Sequence, residues 1–270
     1  MKLLSITILL FTIFENILIE TNDDLSNKLI KEIRSANLNH EFGQDDFFRI
    51  DHLLKDYPIS NGLRLLRNSP DYKNSICIFL NSPNENKRAF AYRLIGVAKD
   101  HNFDDVLIER LHSDESSLLK TCCATTLMTN EVQEASDDLF QLLSSSSSGL
   151  PLDILIDRYV EYDTNAVKKS CWKYMHSTSR SEQIMSIQIL ANFGCDQQLQ
   201  SKLIDFLEEW EDEYKGWVIS SIALQKMTQL KPMLSKYYEI EYLKGIIIEA
   251  LEISPSKEDN IYAQELKRLN

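Results

Sequence analysis

Ile76-Cys77-Ile78-Phe79-Leu80-Asn81-Ser82, Leu107-Ile108-Glu109-Arg110-Leu111-His112-Ser113 and Asp138-Leu139-Phe140-Gln141-Leu142-Leu143-Ser144 are three versions of one phrase. Leu80, Leu111 and Leu142 stand 31 residues apart, and so do Ser82, Ser113 and Ser144. The series continues at Met175 and Ser177, then at Leu207 without its serine. Self-similarity at a fixed period of this length marks a repeat architecture, in which each unit is one supersecondary element.

Each phrase precedes a second helical pattern, clearest in Lys87-Arg88-Ala89-Phe90-Ala91-Tyr92-Arg93-Leu94-Ile95-Gly96. Leu94 has counterparts at Leu127, Ile156, Leu190, Leu224 and Leu251. Three residues earlier stand Ala91, Ala124, Asp153, Ile187, Ser221 and Ile248, of which only Asp153 is neither small nor apolar. Residues three apart share a helix face, and a small one there lets a neighbouring helix come close. The unit is therefore read as two helices joined by short turns. One such pair cannot bury its apolar face alone; stacked neighbours bury it together.

Ser82, Ser113, Ser144 and Ser177 are expected where a second helix ends and the next first helix begins, capping the new helix through the hydroxyl. Pro83, Asp114 and Gly149 reinforce these breaks. The run from Ser144 to Ser148 has linker composition, yet the repeat resumes in phase at Ile156 and Met175. It is read as an expanded turn in preference to a domain boundary. Upstream, Leu25 to Ile33, Phe47 to Leu54 and Gly62 to Leu66 carry weaker helical patterns, as terminal repeats often do. Asp259 to Leu269 is amphipathic and can close the other end. The organisation expected is a hydrophobic segment over 1–20, degenerate helices over 21–71 and the repeat array over 72–270.

From about Tyr72 to Ser254 this pattern resembles the HEAT repeat family. Lys87 to Gly96, Ile187 to Gly194 and the recurrent Leu-x-Ser turn carry the likeness. The resemblance implies an all-α fold, a right-handed α–α superhelix of about six to seven helix pairs. It also implies an extended binding surface and a scaffold or adaptor role. Armadillo-type arrays use three helices in a longer unit, and tetratricopeptide arrays want a Gly-Tyr-Pro signature that is absent.

Composition agrees with helices. The 270 residues include only 7 Gly and 6 Pro, too few for many tight turns between strands. The formal net charge of −12 repels phosphate backbones and attracts basic proteins. Five cysteines, Cys77, Cys122, Cys123, Cys171 and Cys195, form no C-x-x-C, and their odd number argues against a disulfide framework. That favours a reducing compartment. The N-terminus argues the other way: the run Leu3 to Phe14 has signal-peptide length, although no small-x-small cleavage site follows. An export signal, an uncleaved membrane anchor and a buried first helix all stay open for residues 1–20.

No catalytic constellation stands out. Iron hydroxylases of HEAT type need several His-Glu pairs, and this chain has one, His40-Glu41. DNA glycosylases with HEAT-like repeats hold DNA on a basic face with tryptophans; Trp172, Trp210 and Trp217 exist, but the charge opposes nucleic acid. His112 and His176 are read as turn residues and Cys122-Cys123 as packing. No metal or other cofactor is expected.

The feature singled out is Asp205-Phe206-Leu207-Glu208-Glu209-Trp210-Glu211-Asp212-Glu213-Tyr214. One reading is a solvated helix end, with Leu207, Trp210 and Tyr214 inward and the acids in water. The other is a docking patch of Glu208, Glu209, Trp210, Glu211 and Asp212, since aromatic anchors ringed by polar groups are typical of interfaces. The function expected is a non-enzymatic protein-binding scaffold with a basic protein partner. A narrower form is an inhibitor of the bacterial immunity type that neutralises a basic toxin. The alternatives are an enzyme of the glycosylase type and an assembly factor held at a membrane through residues 1–20.

Overall fold

The computed structural model describes residues 23–39, 41–55, 62–145 and 150–269. The N-terminal run, His40, the serines from Ser146 to Ser148 and Gly149 lie outside the described residues. Among the described residues the chain is all-helical, with no strand. The helices are α1 (residues 23–38), α2 (Gln44–Lys55), α3 (Arg64–Asn68), α4 (Pro70–Leu80), α5 (Glu85–Ala98), α6 (Asp104–Leu111), α7 (Ser117–Thr129), α8 (Ser136–Ser144), α9 (Leu152–Tyr162), α10 (Thr164–Tyr174), α11 (Arg180–Ala191), α12 (Gln197–Glu209), α13 (Asp212–Leu224), α14 (Leu230–Leu234), α15 (Lys244–Ile253) and α16 (Lys257–Leu269). The chain divides into two compact units. The first runs to Leu139 and keeps Leu150 and Pro151; the second holds the rest of α8 and everything from Leu152 onward.

In the first unit α5 is the central helix, packed against α2, α3, α4 and α7. Its Phe90 is fully buried, stacked on Phe42 at 5.6 Å and tilted against Phe79 at 5.8 Å. Helices α5 and α7 lie side by side and parallel, start against start and end against end. Ser116 hydrogen-bonds Glu85 at the head, and the Thr126 hydroxyl donates to the Tyr92 carbonyl at 2.8 Å in the middle. Lys99 pairs with Glu131 at 3.1 Å at the foot. A Cβ on Gly96 would sit 3.4 Å from the Thr126 side chain and 3.6 Å from its Cα, so the two helices pack in close contact there.

The second unit repeats this relation. Arg180 before Glu211, and the Gln225 amide on the Ala191 carbonyl, align α11 with α13. The Tyr242 hydroxyl on the Asp212 carbonyl, and the Ser254 hydroxyl on the Met227 carbonyl, align α13 with α15. The leucine series of the phrase is buried throughout, at Leu80, Leu111, Leu142, Met175 and Leu207. Ala91, Ala124, Ile187, Ser221 and Ile248 are buried as well, as close helix packing requires. Leu224 departs from its series: it is 49% exposed, and Ile222 and Ala223 face the core in its place.

The serines do not cap as their spacing predicts, and they turn between the first and second helix of a pair, not between pairs. The Ser82 hydroxyl accepts from the Asn84 amide, and Asn84 caps α5. The Ser113 hydroxyl donates to the Arg110 carbonyl, and Ser116 caps α7. Ser144 is still within α8, and Ser177 accepts from the Ser179 amide. The turn runs two or three residues beyond the buried leucine, so the serine rounds it and a later residue meets the free helix amides.

Between pairs the device is different. Four second helices, α5, α7, α11 and α13, are followed by a left-handed residue: Lys99 (φ 45°), Glu131 (φ 57°), Gly194 (φ 86°) and Lys226 (φ 50°). Aspartates start three of the first helices: Asp100 the 3-10 turn into α6, Asp163 α10 and Asp196 α12. Helix α14 lacks a local cap, and the buried Asp259 of α16 supplies it by accepting from the amides of Leu230 and Lys231. Helix α16 packs on α15 and buries Ala263 and Leu266, the apolar face of the amphipathic 259–269 segment.

Candidate functional site

The acidic segment forms the corner between α12 and α13. Asp196 caps α12 by accepting from the amides of Gln198 and Leu199. The helix then buries Leu199, Leu203, Phe206 and Leu207 at spacings of four, three and one, which puts them on one face. Trp210 ends it in extended geometry and is only 3% exposed. Its ring stacks on Phe206 at 4.5 Å, and the Arg180 guanidinium lies 4.3 Å from the ring centre. Trp210 is therefore held within its own unit, with Leu207 buried and Tyr214 half-buried beside it. The inward packing of these three is what the solvated-helix reading predicts.

The acids are partly neutralised by local cations. Glu208 pairs with Lys236, whose hydrogen bond holds the Glu208 carboxyl below its usual range. Glu211 pairs with Arg180 at 3.1 Å. Asp212 pairs at 3.1 Å with Lys215, which is only 6% exposed and also donates to the Trp210 carbonyl. Lys215 thus closes the C-terminus of α12, where a cation is favoured. Glu209 and Glu213 are exposed and have no ion pair among the described residues. Of the expected patch, the corner brings all five residues together, offers Glu209 as an unshared charge and encloses the Trp210 ring.

The exposed aromatics of this region are Trp217, at 47%, and Tyr242, at 51%. Glu213, Trp217, Ser220 and Leu224 are the exposed positions that follow one another along α13 at spacings of four, three and four. The sequence hides this stripe because α13 is apolar nearly all round: Val218, Ile219, Ile222 and Ala223 are buried on its other sides. The pair Trp217 and Leu224, seven apart, was the available signal.

The other candidates have local roles. His112 lies 2.7 Å from Asp138 and His101 2.8 Å from Asp104, both beside turns. Cys122, Cys123 and Cys171 are buried and Cys77 and Cys195 exposed, all as free thiols. Burial pushes the Cys123 thiol well above its usual range. Among the described residues there is no group of three or more His, Cys, Asp or Glu placed to hold a metal ion, and no helix long and apolar enough to cross a membrane. No protein-family profile, curated protein or solved structure matches this chain.

Proposed function

We propose that this chain is a non-enzymatic protein-binding scaffold of HEAT-like type, its helix pairs continuing as a right-handed superhelix of about six to seven pairs. The observation that carries this reading is the repeated parallel contact of second helices, α5 with α7, α11 with α13 and α13 with α15. Within each unit, helices laid in this way present a shared face, the form in which repeat arrays bind extended partners. The net charge of −12 selects a basic protein, and the α12–α13 corner, with Glu209 unshared, is the first contact such a partner meets.

The test is capture from the native source on the full chain, followed by association kinetics with the captured protein. Glu208→Gln, Glu209→Gln and Glu211→Gln are combined; Asp212 is kept, because its loss would strand the buried Lys215. Slower association with unchanged helicity, and a steeper loss of rate as salt rises in the parent than in the variant, supports the reading. Equal rates retire the corner.

A further inference from the structure

Helices α13 and α15 are parallel, with Tyr242 against Asp212 at their heads and Ser254 against Met227 at their feet. Between these contacts, a Cβ added to Gly216 would come 3.1 Å from the Ile246 methyl, so the two helices approach closely there. One residue on from Gly216 stands the exposed Trp217. Seven residues further along each helix stand Leu224 and Ile253, 49% and 52% exposed. The neighbouring helices α13 and α15 thus expose Trp217 and Tyr242 towards their heads and Leu224 and Ile253 towards their feet, with Ile246 half-buried between them. Single exposed leucines are ordinary on a protein surface, but several large apolar residues on the exposed faces of two adjoining helices, separated by Ser220 and Glu249, are not.

The charges around this stripe are distributed unevenly. Glu208, Glu211, Asp212, Glu241 and Glu252 each pair with a lysine or arginine. Glu213 and Glu249, the carboxylates on the exposed faces of α13 and α15 themselves, have no ion pair among the described residues. Apolar anchors are thus bordered by two carboxylates that have no ion pair among the described residues, with the exposed Lys226 beyond Leu224 at the foot of α13.

We propose that the groove between α13 and α15 docks a basic amphipathic helix of a partner protein. The proposal rests on the protein-binding reading and names the partner's chemistry. A groove between two parallel helices accepts anchors spaced i, i+3, i+4 and i+7, the pattern of an amphipathic helix. Trp217 is the anchor of this side, since tryptophans with a ring free to be covered dominate interface energies. Lysines and arginines flanking the partner's apolar face meet Glu213 and Glu249, which adds encounter rate and selects against acidic helices.

The probe is a fluorescent synthetic helix with leucines at i, i+3, i+4 and i+7 and lysines on its flanks, beside a counterpart with glutamates in place of the lysines. Binding to the full chain is read by anisotropy. The lysine peptide binds, and Trp217→Ser weakens it about thirtyfold, the effect of losing a central anchor. Glu213→Gln with Glu249→Gln weakens it severalfold, and less so in high salt. These residues are exposed, so circular dichroism and melting stay unchanged and report a folded protein. Equal binding of both peptides, absence of binding, or binding untouched by Trp217→Ser overturns the proposal. So does a concentration-dependent dimer that Trp217→Ser abolishes, because a second copy then covers the face. If the peptide arms fail while the Glu208, Glu209 and Glu211 series still slows a captured partner, this groove falls and the scaffold reading stands.

Discussion

The Lys99 ammonium meets the Glu131 carboxylate at 3.1 Å, and both residues hold left-handed backbone, at φ 45° and φ 57°. They end the parallel helices α5 and α7, so an ion pair joins two strained helix ends of successive repeats. The pair is partly solvated, which keeps its own contribution small. The backbone conformation weighs more, since left-handed geometry costs an L-residue with a side chain about 1–2 kcal/mol.

Lys226 occupies the same place after α13, at φ 50°, with an exposed side chain. Lys226→Gly is expected to stabilise the chain by about 0.5–1 kcal/mol, relief of strain outweighing glycine's added unfolded-state entropy. Lys226→Val is expected to destabilise it. Chemical denaturation of the three proteins checks the order.

Gly62 is the opposite case. It has φ 72°, and a Cβ there would lie 2.9 Å from the Lys99 Cβ and 3.0 Å from the Ala98 carbonyl oxygen. Gly62→Ala is expected to cost at least about 1–2 kcal/mol, the left-handed penalty alone. The clash also disturbs the Leu63 amide, which donates to the Val97 carbonyl at 2.8 Å, so the melting temperature falls.

Leu111 is buried and Glu109, two residues before it on α6, is exposed. Leu111→Asp places an unpaired carboxylate in the core and is expected to cost about 3–5 kcal/mol. Glu109→Asp should change stability by less than about 0.5 kcal/mol. Equal effects in urea denaturation would overturn the face assignment.

The sequence pattern is legible where spacing and burial are the same fact. Leu80, Leu111 and Leu207 recur because each fills one place in a helix pair, and Trp210 points inward as its spacing from Leu207 predicts. Leu224 misleads because α13 is apolar on most sides, so several neighbouring residues compete for the core. The caps are not legible because serine stands both at the turn, as Ser82, and at the true cap, as Ser116. The left-handed ends are hidden because Lys99, Glu131 and Lys226 carry side chains there; Gly194 alone advertises its conformation. The exposure of Trp217 is hidden for the same reason as that of Leu224.

The thiols offer a check on both units. Cys77 and Cys195 are exposed, whereas Cys122, Cys123 and Cys171 are buried, and burial raises the Cys123 and Cys171 thiols. The thiolate is the reactive form, so Cys123 and Cys171 resist on both counts and Cys122 by its burial. Ellman's reagent should therefore titrate two thiols in the native protein and five after denaturation. A third fast thiol would contradict the packing of α7 or α10.

The central claim is that a basic protein docks on this acidic scaffold, and the most direct measurement is its association rate as a function of salt. The captured partner is mixed with the parent chain and with the Glu208→Gln, Glu209→Gln, Glu211→Gln variant, at rising ionic strength. The Debye length falls from about 10 Å at 0.1 M to about 3 Å at 1 M, so steering by exposed carboxylates fades over this range. Fast, strongly salt-dependent association is expected for the parent and slower, flatter association for the variant, with both proteins equally helical. Rates that are the same for the two proteins and indifferent to salt would contradict it.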